Sequence, residues 1–177
     1  MKKYIIKGPT NSISGTVNIN GAKNSCLPLM AASILFKDKV ILKNVPLVKD
    51  VITMKNLLIS LGSKVEISKT NKMIIKNSKP HKRRVPYKLV STMRAGVLTM
   101  GSLLGRYQKK KIYVAKGGGC SLGIRDINYH LSGFESLAAE HRFEIGYVRI
   151  HSKNGLVGGS YKFPKVSVTG TSNLIMA

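Results

Sequence analysis

Short runs of strand-like apolar residues along this chain are separated by stretches whose apolar positions recur every three or four residues. Val40 to Asn44 (VILKN) reads as a strand. Val48 to Leu61 carries Val51, Met54, Leu57, Leu58 and Leu61 at helical spacing and stops at Gly62, which predicts a helix closed by a glycine cap. Strands are predicted at Lys64 to Ile67 and Met73 to Lys76. A further strand, Ile112 to Ala115, leads into glycines. Asn128 to Ala139 reads as a helix through Leu131, Phe134 and Leu137, and strands are predicted near Phe143 and over Tyr147 to His151.

The pattern repeats. Val17 to Asn24 (VNINGAKN) and Val166 to Asn173 (VSVTGTSN) share the form V-x-[IV]-x-G-[AT]-x-N, each read as a strand, a glycine turn and the opening of a helix. The first is followed by the helix-compatible LPLMAASIL and the second by LIMA. The order β-α-β-α-β-β therefore occurs twice and begins a third time. Such a unit cannot bury its apolar face alone, so an α/β fold is predicted in which helices of neighbouring units pack together under a sheet. The last helix stops at Ala177 without cap or charged tail, which predicts a fragment or a chain needing a partner to cover that edge.

Composition narrows the function. The 177 residues are 43% hydrophobic, enough for a core, and thirty Lys+Arg against seven Asp+Glu give a formal charge of +23. That balance invites a nucleic-acid reading. Yet lysines recur along nearly the whole chain, only Lys79 to Arg84 (KPHKRR) and Lys109 to Lys111 cluster, and aromatics for base stacking are just 6%. Weak, salt-sensitive adhesion to polyanions is expected rather than a dedicated groove. Cys26 and Cys120 are too few and too far apart for a disulfide scaffold or zinc site, which favours a reducing, cytoplasmic setting. The longest uncharged stretch, Asn24 to Phe36, is short of the roughly 20 apolar residues of a membrane span and contains Pro28. No targeting signal is legible in MKKYIIKGPT.

Some positions carry chemistry. Lys23 and Asn24 stand where a glycine turn enters a helix, either an anion site made of helix N–H groups and an ammonium or a turn with a solvated lysine. Three consecutive glycines before Cys120, with Lys116 nearby and a helix to follow, describe either a thiol of lowered pKa or a small buried hydrophobe. Cys26 lies in an apolar helical run and reads as core. Arg94 and Arg125 are scarce arginines beside glycine turns, suited to bidentate grip of carboxylate or phosphate or to structural ion pairs. His81, His130, His141 and His151 have no metal spacing, and no Ser/His/Asp motif is present.

Six motifs in order carry a resemblance: GAKN at 21–24, Asp50-Val51 within NVPLVKDV, STMRAG at 91–96, GGCSLGIR at 118–125, H-x-x-G-F-E-x-L from His130, and KVSVTGTSN from Lys165. Together they resemble the UDP-N-acetylglucosamine 1-carboxyvinyltransferases, enolpyruvyl transferases of bacterial peptidoglycan synthesis. The match spans essentially the whole chain but corresponds to well under half of a typical member. The resemblance implies an inside-out α/β barrel of two domains with helices inward. Residues 1–21 would cross to the second domain, and 22–177 would be an incomplete domain of two repeats and the start of a third.

It further implies transfer of the enolpyruvyl group of phosphoenolpyruvate to the sugar 3-hydroxyl, through a tetrahedral intermediate, without metal or organic cofactor. Cys120 matches the proton donor that fosfomycin alkylates, and Lys23 and Asn24 match the phosphoenolpyruvate-contacting pair. Arg94 and Arg125 match arginines that grip the anionic substrates. Arg125, Asp126, Ile127, Asn128 and Tyr129, with Lys165, Val166, Ser167 and Val168, match the segments that hold the uridine nucleotide. The family usually has Pro, an aliphatic residue and Asp after the arginine, where this chain has Asp126, Ile127 and Asn128; Ser172 replaces a usual acid. The family's base toward the sugar hydroxyl lies beyond residue 177, and none of Asp38, Asp50, Glu66, Asp126, Glu135, Glu140 and Glu144 matches it. The 177 residues alone are therefore expected to be inactive, with the remainder as a separate chain one way to complete the site. The rival readings are an enolpyruvylshikimate-phosphate synthase-like transferase, against which the cysteine loop argues, and a basic nucleic-acid-binding protein. No membrane or specific nucleic-acid partner is expected.

Overall fold

The computed structural model describes residues 3–8, 12–78, 81–91, 93–115 and 127–177, with the Arg94 side chain also left aside. Its first helix, α1 (Lys23–Ala32), runs into a 3-10 turn, Ser33–Leu35, and is followed by β1 (Val40–Leu42), α2 (Lys49–Leu61), β2 (Lys64–Ile67) and β3 (Met73–Lys76). The second unit is β4 (Arg84–Val85), α3 (Tyr87–Val90), a 3-10 segment Arg94–Leu98, α4 (Thr99–Arg106), β5 (Ile112–Ala115), α5 (Asn128–Glu135), β6 (Glu140–Glu144) and β7 (Tyr147–His151). A last helix, α6 (Val168–Met176), opens the third. The β-α-β-α-β-β order predicted from the repeat is complete in the second unit.

Each unit owns a sheet. The first is antiparallel in the order β1-β3-β2. The second has the order β4-β5-β7-β6, with β4 parallel to β5 and the other pairs antiparallel. Alternation along β2, β3 and β7 buries one face of each strand and leaves the other more open. The buried faces meet helices: α2 lies against β2 and β4, α4 against β5, and α5 against β6. The helices also pack on one another, α1 on α2 and α4, and α6 on α4 and α5, so helices of successive units form the interior.

Sequence accounts for the helix limits and for the closest packing. The α2 face formed by Val51, Met54, Leu57, Leu58 and Leu61 is wholly buried, and Gly62 ends the helix at φ 115°. Gly101 and Gly105, one turn apart on α4, face α6: a Cβ on either would strike the backbone of Asn173 or of Met176. The two helices approach so closely because both positions lack a side chain.

Three predicted details are corrected. Val17 to Asn20 forms no strand; Val17 and Ile19 are each 79% exposed, and the described residues offer no ladder to hold the segment. Val166 to Val168 is not a strand leading to a glycine turn either. Ser167 caps α6 by accepting the Gly170 N–H at 3.1 Å, which pulls Gly170 into the first helical turn. The helix expected to reach Ala139 stops at Glu135, because Ala138 takes a left-handed φ of 63° and the Ala139 N–H returns to the Phe134 carbonyl. Among the described residues no helix is long and apolar enough to cross a membrane.

Candidate functional site

The start of α1 is the best-defined part of the candidate site. Gly21 lies where a Cβ would meet the Asn44 carbonyl, so the chain crosses the end of β1 closely just before it turns helical. Ala22 accepts the N–H groups of Ser25 and Cys26, which leaves the Lys23 and Asn24 N–H groups without intrahelical partners. Pro28 has no N–H to return to the Asn24 carbonyl, so the first turn is also relaxed at Asn24. Both side chains are exposed.

A lysine at a helix N-terminus opposes the positive end of the helix dipole. The opposition is answered from α2: Asp50, in its first turn, accepts from Lys23 Nζ at 2.8 Å. With side chains 46% and 37% exposed, this bridge contributes about 1 kcal/mol at most, so it orients the ammonium more than it holds the fold. An exposed ammonium on the same first turn as N–H groups without intrahelical partners is suited to a carboxylate or phosphate. Asp50 was legible only as part of a motif; its role depends on a contact across 27 residues that local pattern does not reveal.

The 3-10 segment that begins at Arg94 touches α1, α2 and α6, which puts its backbone at the junction of the three units. A buried polar relay ties this junction to the other predicted segments. Asn173 Nδ2 donates to the Val97 carbonyl at 3.1 Å and to His130 Nδ1 at 2.8 Å, while its Oδ1 accepts the Gly101 N–H at 2.9 Å. His130 Nε2 faces the Thr169 hydroxyl at 3.5 Å. The first turn of α5, with Asn128 and Tyr129, is thereby held beside the first turn of α6, which Lys165, Val166, Ser167 and Val168 lead into. Ile127 and Tyr129 are half-buried, and Asn128, Lys165, Val166 and Val168 are exposed. The described parts of the two segments, 127–129 and 165–168, thus lead into or open neighbouring helical turns.

Asn173 occupies in the third unit the place that Asn24 has in the first, yet it is fully buried and spends its amide on the relay. The repeat itself was the signal for it, though not for its function. Cys26 is buried as expected, and burial pushes its thiol pKa up. Cys120, Arg125, Asp126 and the glycines before the cysteine lie outside the described residues. Among the described residues no group of His, Cys, Asp and Glu is arranged to hold a metal ion.

Comparison with known proteins supplies the context. The family model of EPSP synthase (3-phosphoshikimate 1-carboxyvinyltransferase) matches residues 7–177. The chain is 44% identical over 177 residues to the UDP-N-acetylglucosamine 1-carboxyvinyltransferase of Pelagibacter ubique (strain HTCC1062), covering all of this chain and 42% of that protein. The enzyme of the same name from Hydrogenovibrio crunogenus is 41% identical, again over this whole chain and 41% of its own. The chain thus spans about two fifths of the curated relatives it matches. Among solved structures, the enolpyruvyl transferase NikO from Streptomyces tendae superposes with a TM-score of 0.68 at 16% identity, over 83% of this chain and 32% of that one. An EPSP synthase from Acinetobacter baumannii gives 0.63 at 18% identity, over 92% and 37%. These two establish likeness of fold.

Proposed function

The chain belongs to the EPSP synthase family, and from that premise we propose that it is the N-terminal part of a UDP-N-acetylglucosamine 1-carboxyvinyltransferase acting in the cytoplasm on the way to peptidoglycan. The observation that carries the choice of acceptor is the 44% identity to enzymes of that name over all 177 residues. A cysteine in the glycine loop favours the same choice over shikimate 3-phosphate.

In this reading phosphoenolpyruvate sits at the start of α1. Its anionic groups meet Lys23 Nζ and the free N–H groups of Lys23 and Asn24, with Asp50 setting the ammonium direction. The sugar 3-hydroxyl adds to C2 of phosphoenolpyruvate and loses its proton to a base, while Cys120 gives a proton to the methylene carbon, C3. Loss of a C3 proton then expels phosphate and restores the double bond. Arg94 and Arg125 grip the anionic substrates and stabilise developing phosphate charge. Arg125 to Tyr129 and Lys165 to Val168 hold the nucleotide, with Asp126 and Asn128 as this chain's own variation. Residues 1–21 go with a second domain, a reading supported by the exposure of Tyr4, Ile5 and Ile6. The base belongs to that domain's side of the cleft, so residues 1–177 alone do not turn over.

Brief labelling with fosfomycin followed by peptide mapping tests the assignment. Cys120 is expected to be alkylated well before Cys26, whose thiol is buried and of raised pKa. Faster labelling of Cys26 would remove the loop cysteine from the mechanism. In the full-length enzyme, Cys120→Asp should retain part of the turnover and lose alkylation, since a carboxylic acid can donate the proton but offers no thiol.

A further inference from the structure

Arg83 and Arg84, at the end of one basic cluster of the sequence, meet the other cluster, Lys109 to Lys111, in the fold. The parallel pairing of β4 with β5 sets Arg84 opposite Tyr113, and the Tyr113 N–H donates to the Arg83 carbonyl at 2.7 Å. The lysine run rides the turn between α4 and β5, where the Lys110 N–H closes on the Tyr107 carbonyl at 2.7 Å. The result is an open cleft of about 520 Å³ lined by Arg83, Arg84, Lys109, Lys110, Lys111 and Tyr113. Five of the six are cations, none is an acid, and among the described residues none of the five is in an ion pair.

None of the six lining residues is among those proposed to hold substrate. β4 and β5 run parallel, each with one of its first residues, Arg84 and Tyr113, at the cleft. Arg84 is also pre-set. Its guanidinium carbon sits 4.1 Å from the Tyr147 ring centre and 5.4 Å from that of Tyr113. Stacking of this kind occupies the face of the guanidinium and leaves its in-plane N–H fork for phosphate oxygens.

We infer that this cleft binds the phosphodiester backbone of single-stranded nucleic acid without reading its sequence. Its five cations can span successive phosphates, and its openness suits a chain passing through rather than an enclosed small molecule. Arg84 already stands over the Tyr113 ring, so the lining is cationic more than aromatic. Binding of this kind is steeply salt-dependent, with a logarithmic slope of about −0.7 per phosphate contact, or roughly −3.5 for five.

The test is fluorescence anisotropy of a labelled single-stranded oligonucleotide with the purified chain, titrated at several salt concentrations between about 50 and 200 mM. The variant K109Q/K110Q/K111Q is compared with K37Q/K39Q/K43Q, which removes the same charge from exposed positions around β1. The expected result is more than about ten-fold weaker binding and a slope shallower by about 2 for the first variant, with less than about three-fold loss for the second. All six lysines are exposed, and coincident urea midpoints establish that the fold is intact. Equal losses in the two variants would overturn the proposal in favour of diffuse charge. Binding to phosphatidylserine vesicles or to tripolyphosphate that depends on Lys109 to Lys111, without oligonucleotide binding, would overturn it in favour of those ligands.

Discussion

The Lys23–Asp50 contact is proposed to serve binding more than stability. Because the bridge is exposed on both sides, Lys23→Ala should shift the unfolding free energy by less than about 1 kcal/mol, measured by urea denaturation. The same change in the full-length enzyme should weaken phosphoenolpyruvate binding about ten-fold or more, the usual scale of a lost charge-assisted contact. His81 behaves in the opposite way, as a buried group outside the site. Its Nε2 lies 3.1 Å from both Ser63 Oγ and Asn77 Oδ1, and its Nδ1 lies 3.0 Å from the Tyr107 hydroxyl, a set of partners a neutral imidazole satisfies. Burial, with a smaller contribution from the Arg106 charge, lowers its pKa to about 4. The unfolded chain titrates near 6.5, so below that pH it takes up a proton that the native protein refuses. Stability should therefore fall as pH drops from about 6.5 to about 4, by roughly 3 kcal/mol in all, and level off below. Urea midpoints across this range test it, and His81→Gln should flatten that part of the profile.

At the scale of elements, the segments with a clear period were legible and those built on close approach were not. The helix Val48 to Leu61, the strands Lys64 to Ile67, Met73 to Lys76 and Tyr147 to His151, and the cap at Gly62 all stand within a residue of where the pattern puts them. The 3-10 segment Arg94–Leu98 and α4 escaped notice because Gly96, Gly101 and Gly105 interrupt a helical reading. The reason is tertiary: α6 packs where side chains at Gly101 and Gly105 would stand, and Val90 of α3 where one at Gly96 would. Gly101→Ala is predicted to cost about 2 kcal/mol or more, since the obstacle is Asn173 backbone that cannot rotate away. A destabilisation below about 0.5 kcal/mol in urea unfolding would mean that α4 and α6 are not in the contact described. The strand expected at Val17 failed for a related reason, since alternation marks a residue's readiness to pair and not the presence of a partner.

For the whole molecule, the repeat made the architecture legible and the ordered motifs made the family legible, while the convergence of residues depended on the fold. Nothing in spacing indicated that His130 and Asn173 would join α5 to α6, or that Arg84 and Lys110 would share a cleft. That joining places Asn128, Tyr129 and Ser167 in neighbouring turns, the wall proposed to hold the uridine nucleotide. The decisive measurement is a titration of the isotopically labelled chain, following backbone amide resonances as ligands are added. UDP-N-acetylglucosamine is predicted to shift Asn128, Tyr129, Ser167 and their neighbours saturably, with shikimate 3-phosphate leaving them in place; the reverse pattern, shikimate 3-phosphate shifting them and the sugar nucleotide not, would contradict the assignment.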